Sequence, residues 1–308
     1  MSRSLLLRAR WITPAARAWL SRRAPARVLH VFDRACNLAN SHGELLSLVT
    51  VESAAGPFSL LLPGPGGKTP DWGGFLPWVE AGSKVTSDSN RVKIGDLEID
   101  AREAEIWQPE PDWGSLQGNQ RAWTSLLPQV RARLLASAPA GSLAELLQAA
   151  SPGRPEASET SPIHLEVLER SAGPAREVAL GVARGRAQTS RHAAQALAGL
   201  GGGLTPAGDD FLVGVMHAAW AACPPDRAEQ ISRVVAEAAA PRTSLLSAAW
   251  LKAAARGEAG WPWHRLIQAL VGSDGPGLDE AVSRLASIGH TSGADALAGF
   301  LLAMEAFQ

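Results

Sequence analysis

The stretch Gly199-Leu200-Gly201-Gly202-Gly203-Leu204-Thr205-Pro206-Ala207-Gly208-Asp209-Asp210 holds residue types able to bind or activate a small molecule. Consecutive glycines reach φ > 0 and let the main chain approach a ligand closely. Thr205 suits an N-cap, and Pro206 suits the first helical position, where its missing N–H would be unpaired anyway. The free N–H groups of Gly201, Gly202 and Gly203, together with the helix dipole, then make a nest for an anion. The stretch is not a Walker A loop, because no Gly-Lys-Ser/Thr follows at the right spacing. It is not a dinucleotide fingerprint either. Leu204 takes the third glycine position, and His192–Leu200 reads as a helix where a strand is needed. Asp209 and Asp210 would repel a phosphate unless a cation or a substrate N–H lies between them, so the pair suits Mg²⁺ or an amide or amine. The plainer account is a glycine helix stop followed by a helix whose first-turn acids answer its dipole.

Two further helix starts repeat the design. In Pro241-Arg242-Thr243-Ser244, Thr243 or Ser244 is the cap and Arg242 offers a guanidinium fork for carboxylate or phosphate. In Gly289-His290-Thr291-Ser292-Gly293-Ala294-Asp295, Ser292 with Asp295 three positions on is close to a capping box, which alone would account for Asp295. His290 can titrate near neutrality, although a lone histidine is more often structural. The recurrence predicts that the three starts converge on one pocket for a small anionic molecule. Asp209, Asp210, His290 and Asp295 are then the candidate catalytic groups. Gly201, Gly202, Gly203, Thr205, Arg242, Thr243, Ser244, Thr291 and Ser292 are the candidate binding groups. No cofactor motif is present, and Mg²⁺ at Asp209 and Asp210 is the one metal the pattern would suit.

The elements that position these residues are of two kinds. Short apolar runs at Val28–Phe32, Leu45–Val51, Phe58–Leu62 and within 84–107 read as strands, punctuated by Gly43 and Ala55-Gly56-Pro57. Residues 63–75 read as a Gly/Pro loop. From Trp113 the apolar spacing becomes helical. Helices are expected near 163–170, 174–200, 206–222, 226–240, 244–256, 262–271, 277–288 and 294–307, after a loop or linker at 151–162. The fold class is therefore α+β, a mainly antiparallel β domain over 1–112 followed by a larger all-helical domain over 113–308.

Bulk properties narrow the function classes. The chain has 308 residues, net charge -1, 46% hydrophobic and 19% charged residues, a globular composition with no global field for nucleic acid or an anionic membrane. Cys36 and Cys223 form neither a zinc-type pair nor a disulfide framework, so both are expected reduced and buried. No apolar run reaches the roughly 18 residues of a membrane span. Seven arginines and no acid precede Val28. The segment lacks the apolar core of a secretory signal and reads as a basic N-terminal arm, with a transit peptide as the other reading. A cytoplasmic location is expected. No G-x-S-x-G is present, and neither cysteine sits in an activating context.

Three segments carry a resemblance: GLGGGLTPAGDDFLVG (199–214), RTSLLSAAWLKAAARGE (242–258) and GHTSGADALAGFLLAM (289–304), with VLHVFDRACNLANSHGELLSL (28–48) in the N-terminal half. Together they resemble the AllH-like family over most of the chain, least in about 110–185. Gly202 and Ala207 stand where Pro and Ser are expected in many relatives. The resemblance implies a subunit of an oxamate carbamoyltransferase of allantoin breakdown, which phosphorolyses oxalurate to oxamate and carbamoyl phosphate. It implies a hetero-oligomer with an acyl-CoA synthetase-like subunit and another transferase subunit, and it carries over no catalytic residues. Two other readings remain. Acid pairs at helix ends are similar to the Mg²⁺ sites of ADP-ribosylglycohydrolases, which would make the chain a hydrolase. A non-catalytic scaffold subunit would need the capped turns only for stability.

Overall fold

The computed structural model describes residues 4–62, 71–150, 162–272 and 275–308. The chain divides into two compact units, Met1–Pro109 and Glu110–Gln308. The fold is α+β, strands first and helices after.

The first unit is a ten-stranded sheet. Its strands are β1 (Leu5–Arg8), β2 (Trp11–Ile12), β3 (Ala26–Val31), β4 (Ala35–Asn40), β5 (Leu45–Val49), β6 (Ser59–Leu61), β7 (Lys84–Ser87), β8 (Arg91–Ile94), β9 (Leu97–Asp100) and β10 (Glu105–Ile106). They lie in the order β1-β9-β8-β7-β3-β4-β5-β6-β2-β10, and most neighbours are antiparallel. The sheet curls until its two ends meet on one segment. Ala9 N–H donates to Asp100 O at 2.8 Å, and the next amide, Arg10 N–H, donates to Leu61 O on the far side at 2.8 Å. In β8, Val92 and Ile94 face the core while Lys93 faces water, the period-2 pattern of a half-buried strand. Helix α1 (Pro14–Arg22) packs on β5 and β6 and contributes Trp19 and Leu20 to the core with Ile12, Leu38, Leu46 and Leu60. Thr13 caps it, accepting from Ala16 N–H at 3.2 Å, with Pro14 at the start of the helix. The arginine-rich segment is thus not an arm: β1, β2 and α1 are built from it. Such short strands, two and four residues long, carry too little periodicity to read in sequence.

The second unit is helical: α2 (Trp113–Gly118), α3 (Gln120–Thr124), α4 (Leu127–Ser137), α5 (Pro162–Ala183), α6 (Ala187–Leu197), α7 (Ala207–Ala222), α8 (Pro225–Ala239), α9 (Leu245–Ala255), α10 (Trp261–Gly272), α11 (Gly275–Ala286) and α12 (Ser292–Phe307), with 3₁₀ turns at Leu143–Ala150 and Ala240–Arg242. The helix break expected before Pro174 is absent. Pro174 sits inside α5, and the chain turns at Gly185 instead, whose φ is 66°. The tail of the loop at 63–75 is described from Asp71 onward; 63–70 and 151–161 lie outside the described residues.

Helix α7 is buried on all sides and packs along α12. Two glycines set how close they come. A Cβ on Gly214 would collide with Ala296 O, and one on Gly299 with Phe211 O. Their contact is main chain against main chain. Beside it lies an aromatic core. His217, 1% exposed, has its ring centroid 4.6 Å from Trp263 and 5.7 Å from Trp113. Its Nε2 lies 3.3 Å from Glu258 O. A carbonyl only accepts, so Nε2 carries the proton, and Nδ1 has no partner among the described residues. Burial lowers the His217 pKa to about 4. Cys36 and Cys223 are buried free thiols, with burial pushing Cys36 up to about 12.

Gly214→Ala is expected to lower stability by about 1–3 kcal/mol in denaturant unfolding; a loss below about 0.5 kcal/mol would contradict backbone contact. His217 is held neutral while its unfolded form titrates near 6.5, so its contribution is full above that value and lost as pH falls toward 4. The difference in stability between the parent and His217→Phe should shrink by about 3 kcal/mol across this window. A pH-independent difference would contradict it.

Candidate functional site

Helix α6 ends on Gly199, whose φ of 71° is left-handed and whose Cβ position would lie 2.8 Å from Arg242 O. Gly201, at φ 110°, approaches Ala207 N so closely that a Cβ there would sit at 2.9 Å. Both glycines are required by geometry. Gly202 and Gly203 face open solvent. Among the described residues the N–H groups of Gly201, Gly202 and Gly203 have no hydrogen-bond acceptor.

The helix after the loop starts one residue later than Thr205-Pro206 suggests. Pro206, with ψ 143°, is the cap position, and α7 begins at Ala207. Thr205 does not cap it. Its Oγ1 lies 2.9 Å from Ser292 Oγ at the start of α12. The same dipeptide at Thr13-Pro14 caps in the ordinary way, so a tertiary partner has overridden the local preference. The capping box expected at Ser292 and Asp295 is also absent. Thr291 holds the cap position without a side-chain cap bond, Ser292 turns to Thr205, and Asp295 Oδ1 accepts Leu143 N–H at 2.6 Å. At the third start Ser244 is the cap. Its Oγ accepts Ser247 N–H at 3.1 Å and donates to Leu204 O at 2.8 Å.

Asp209, 1% exposed, is fully engaged: Oδ1 accepts Gly199 N–H at 3.0 Å and Oδ2 accepts the Thr243 hydroxyl. Burial raises its pKa, while bonds from Thr243, Gly199 and Ser247 pull the other way. Asp210 and Asp295 differ, because Oδ2 of each is buried with no hydrogen-bond partner among the described residues. Burial pushes Asp210 well above the usual carboxylate range. The Asp295 and Asp209 charges add to this, and the Ser292 and Thr205 hydroxyls oppose it. Burial raises Asp295 to about 7, against the Leu143 N–H and Thr291 hydroxyl.

The structure therefore brings the starts of α7, α9 and α12 together through hydroxyl and carboxyl contacts among Thr205, Asp209, Asp210, Thr243, Ser244, Thr291, Ser292 and Asp295. It does not bring in two of the expected side chains. His290 is exposed and makes no hydrogen bond among the described residues. Arg242 is exposed and lines a separate cleft with Arg170, Gln195, Ala196 and Ala198. Gly199 N–H, Leu143 N–H and Ser247 belong to the site and carry no sequence signal, being an amide at a helix end, an amide in a 3₁₀ turn and a helical serine. Among the described residues no three His, Cys, Asp or Glu side chains are grouped to hold a metal.

An acid whose folded pKa is raised binds more protons folded than unfolded. The Asp295 contribution is therefore most favourable below about pH 4 and is lost as pH rises toward 7. Asp295→Asn keeps the acceptor for Leu143 and removes the titration. Its stability relative to the parent should rise between pH 4 and 7 and level off above; a flat difference in urea unfolding would contradict a neutral Asp295.

The model of the oxamate carbamoyltransferase subunit AllH matches residues 197–304, from the end of α6 into α12, and so encloses all three helix starts. The model of the AllH family N-terminal domain matches residues 8–106, the curled sheet. Neither a curated protein nor a solved structure matches the chain. Of the residues described here, no helix is long and apolar enough to cross a membrane. With both halves matched, the chain belongs to the AllH family.

Proposed function

We propose that the chain is a carbamoyltransferase-type subunit that holds a small anionic substrate, of the carbamoyl phosphate or oxamate kind, over the Gly201–Gly203 amides and the starts of α7 and α12. The observation that carries this reading is that Asp210 and Asp295, in the first turns of α7 and α12, each keep one buried oxygen with no partner among the described residues, while the loop that opens α7 keeps the Gly201–Gly203 amides unpaired. A carboxylate at that position would reject an anion. Burial favours the protonated carboxyl of Asp210, and in that form it is a hydrogen-bond donor compatible with an anion.

In the transfer, phosphate oxygen attacks the carbamoyl carbon of oxalurate. The C–O bond to phosphate forms, the C–N bond breaks, and the departing oxamate nitrogen takes a proton. Loop amides are suited to stabilise charge on the carbonyl oxygen. Asp210 is the group assigned to deliver the proton, since burial favours its protonated form. Asp209 and Asp295 are positioning residues: one fixes the loop against Thr243, and the other fixes the first turn of α12 against Leu143. The family's subunit name supports work within an assembly.

In the assembled enzyme, Asp210→Asn should lower kcat for oxalurate phosphorolysis by about 100-fold or more with a smaller change in KM. Unchanged melting temperature would show that the variant folds. Turnover within about twofold of the parent would end this assignment.

A further inference from the structure

A basic site lies outside that cluster. A cleft of about 690 Å³ is lined by Arg170 on α5, Gln195 and Ala196 on α6, Ala198 and Arg242. Among the described residues no acidic side chain lines it. Arg242 makes no ion pair among the described residues, and Arg170 reaches only Glu166, one turn away on its own helix, at 3.4 Å, with both side chains about two-thirds exposed. A surface pair of that kind contributes little and yields readily to a better anion. The Gln195 side chain has no partner among the described residues and adds an amide donor. Two arginines therefore line one cleft, Arg242 with no ion pair among the described residues and Arg170 held only by an exposed pair on its own helix.

We infer that this cleft binds a diphosphate group. Each guanidinium fork matches two phosphate oxygens, and two forks on one cleft match two adjacent phosphates better than one. The volume is that of a small-molecule site. The lining is Arg, Gln and Ala, so no aromatic face stacks a base, and the site reads the phosphates alone. The base of Arg242 is fixed, with its carbonyl against Gly199 and its neighbour Thr243 bonded to Asp209. An anion drawn to Arg242 is thus mechanically linked to the loop that opens α7. This inference does not rest on the proposed transfer, because none of the five lining residues takes part in it.

Calorimetric titration at constant ionic strength with pyrophosphate, ADP and inorganic phosphate tests it. Pyrophosphate is expected to bind with a sub-millimolar Kd, ADP to match it, and inorganic phosphate to bind at least about tenfold more weakly. Arg170→Gln and Arg242→Gln should each weaken pyrophosphate binding about tenfold without loss of folding. A tenfold preference for ADP would assign the phosphates to a nucleotide. Absence of pyrophosphate binding, or binding untouched by Arg170→Gln, would overturn the inference. The two arginines would then only balance the carbonyl end of α6.

Discussion

The candidate site depends on one buried carboxyl group. Asp209 takes the amide of Gly199 on one oxygen and the hydroxyl of Thr243 on the other. The first bond closes the turn between α6 and α7. The second ties that turn to the chain entering α9. A buried ionisable group without partners costs several kcal/mol, so its two donors make a single arrangement of the three segments favourable. The acid beside it, Asp210, keeps one oxygen without a partner among the described residues. Neighbouring aspartates in sequence thus have opposite situations, set by which way the first turn of α7 points each of them.

The same level of the structure is fixed from behind by α7 and α12. Gly214 and Gly299 allow main chain to touch main chain, so neither helix can slide or rotate without steric conflict. Their first turns are then held side by side, and Thr205 meets Ser292. Three carboxyl groups share this region with no arginine or lysine bonded to them among the described residues, and burial drives all three toward the neutral form. Local preorganisation and proton retention arise from one cause, close packing of small residues.

Much of this was legible in the sequence. The glycine run, the three polar helix starts and the change from strand to helix spacing gave the α+β class and the convergence of Thr205, Thr243 and Ser292. What was not legible has a physical explanation. Capping rules describe an isolated helix end, and they hold at Thr13. At Thr205 and Ser292 a partner 87 positions away competes for the same hydroxyl and wins. Asp295 likewise prefers an amide 152 positions away over its own helix end. His290 and Arg242 matched the expected chemistry by type. Their side chains leave the cluster because direction at a helix end is set by the turn, which spacing does not reveal.

Closure of the N-terminal sheet on residues 5–12 has a bearing on biogenesis. Leu5 pairs in parallel with Leu97, and Trp11 with Glu105. Strands β1 and β2 therefore wait for β9 and β10, which are synthesised some 90 positions after them. Pairings this distant in the chain make nucleation slow. Until they form, β9 and β6 each present an open edge to other chains. Residues 5–12, made before most of the sheet they join, thus act as its final seam.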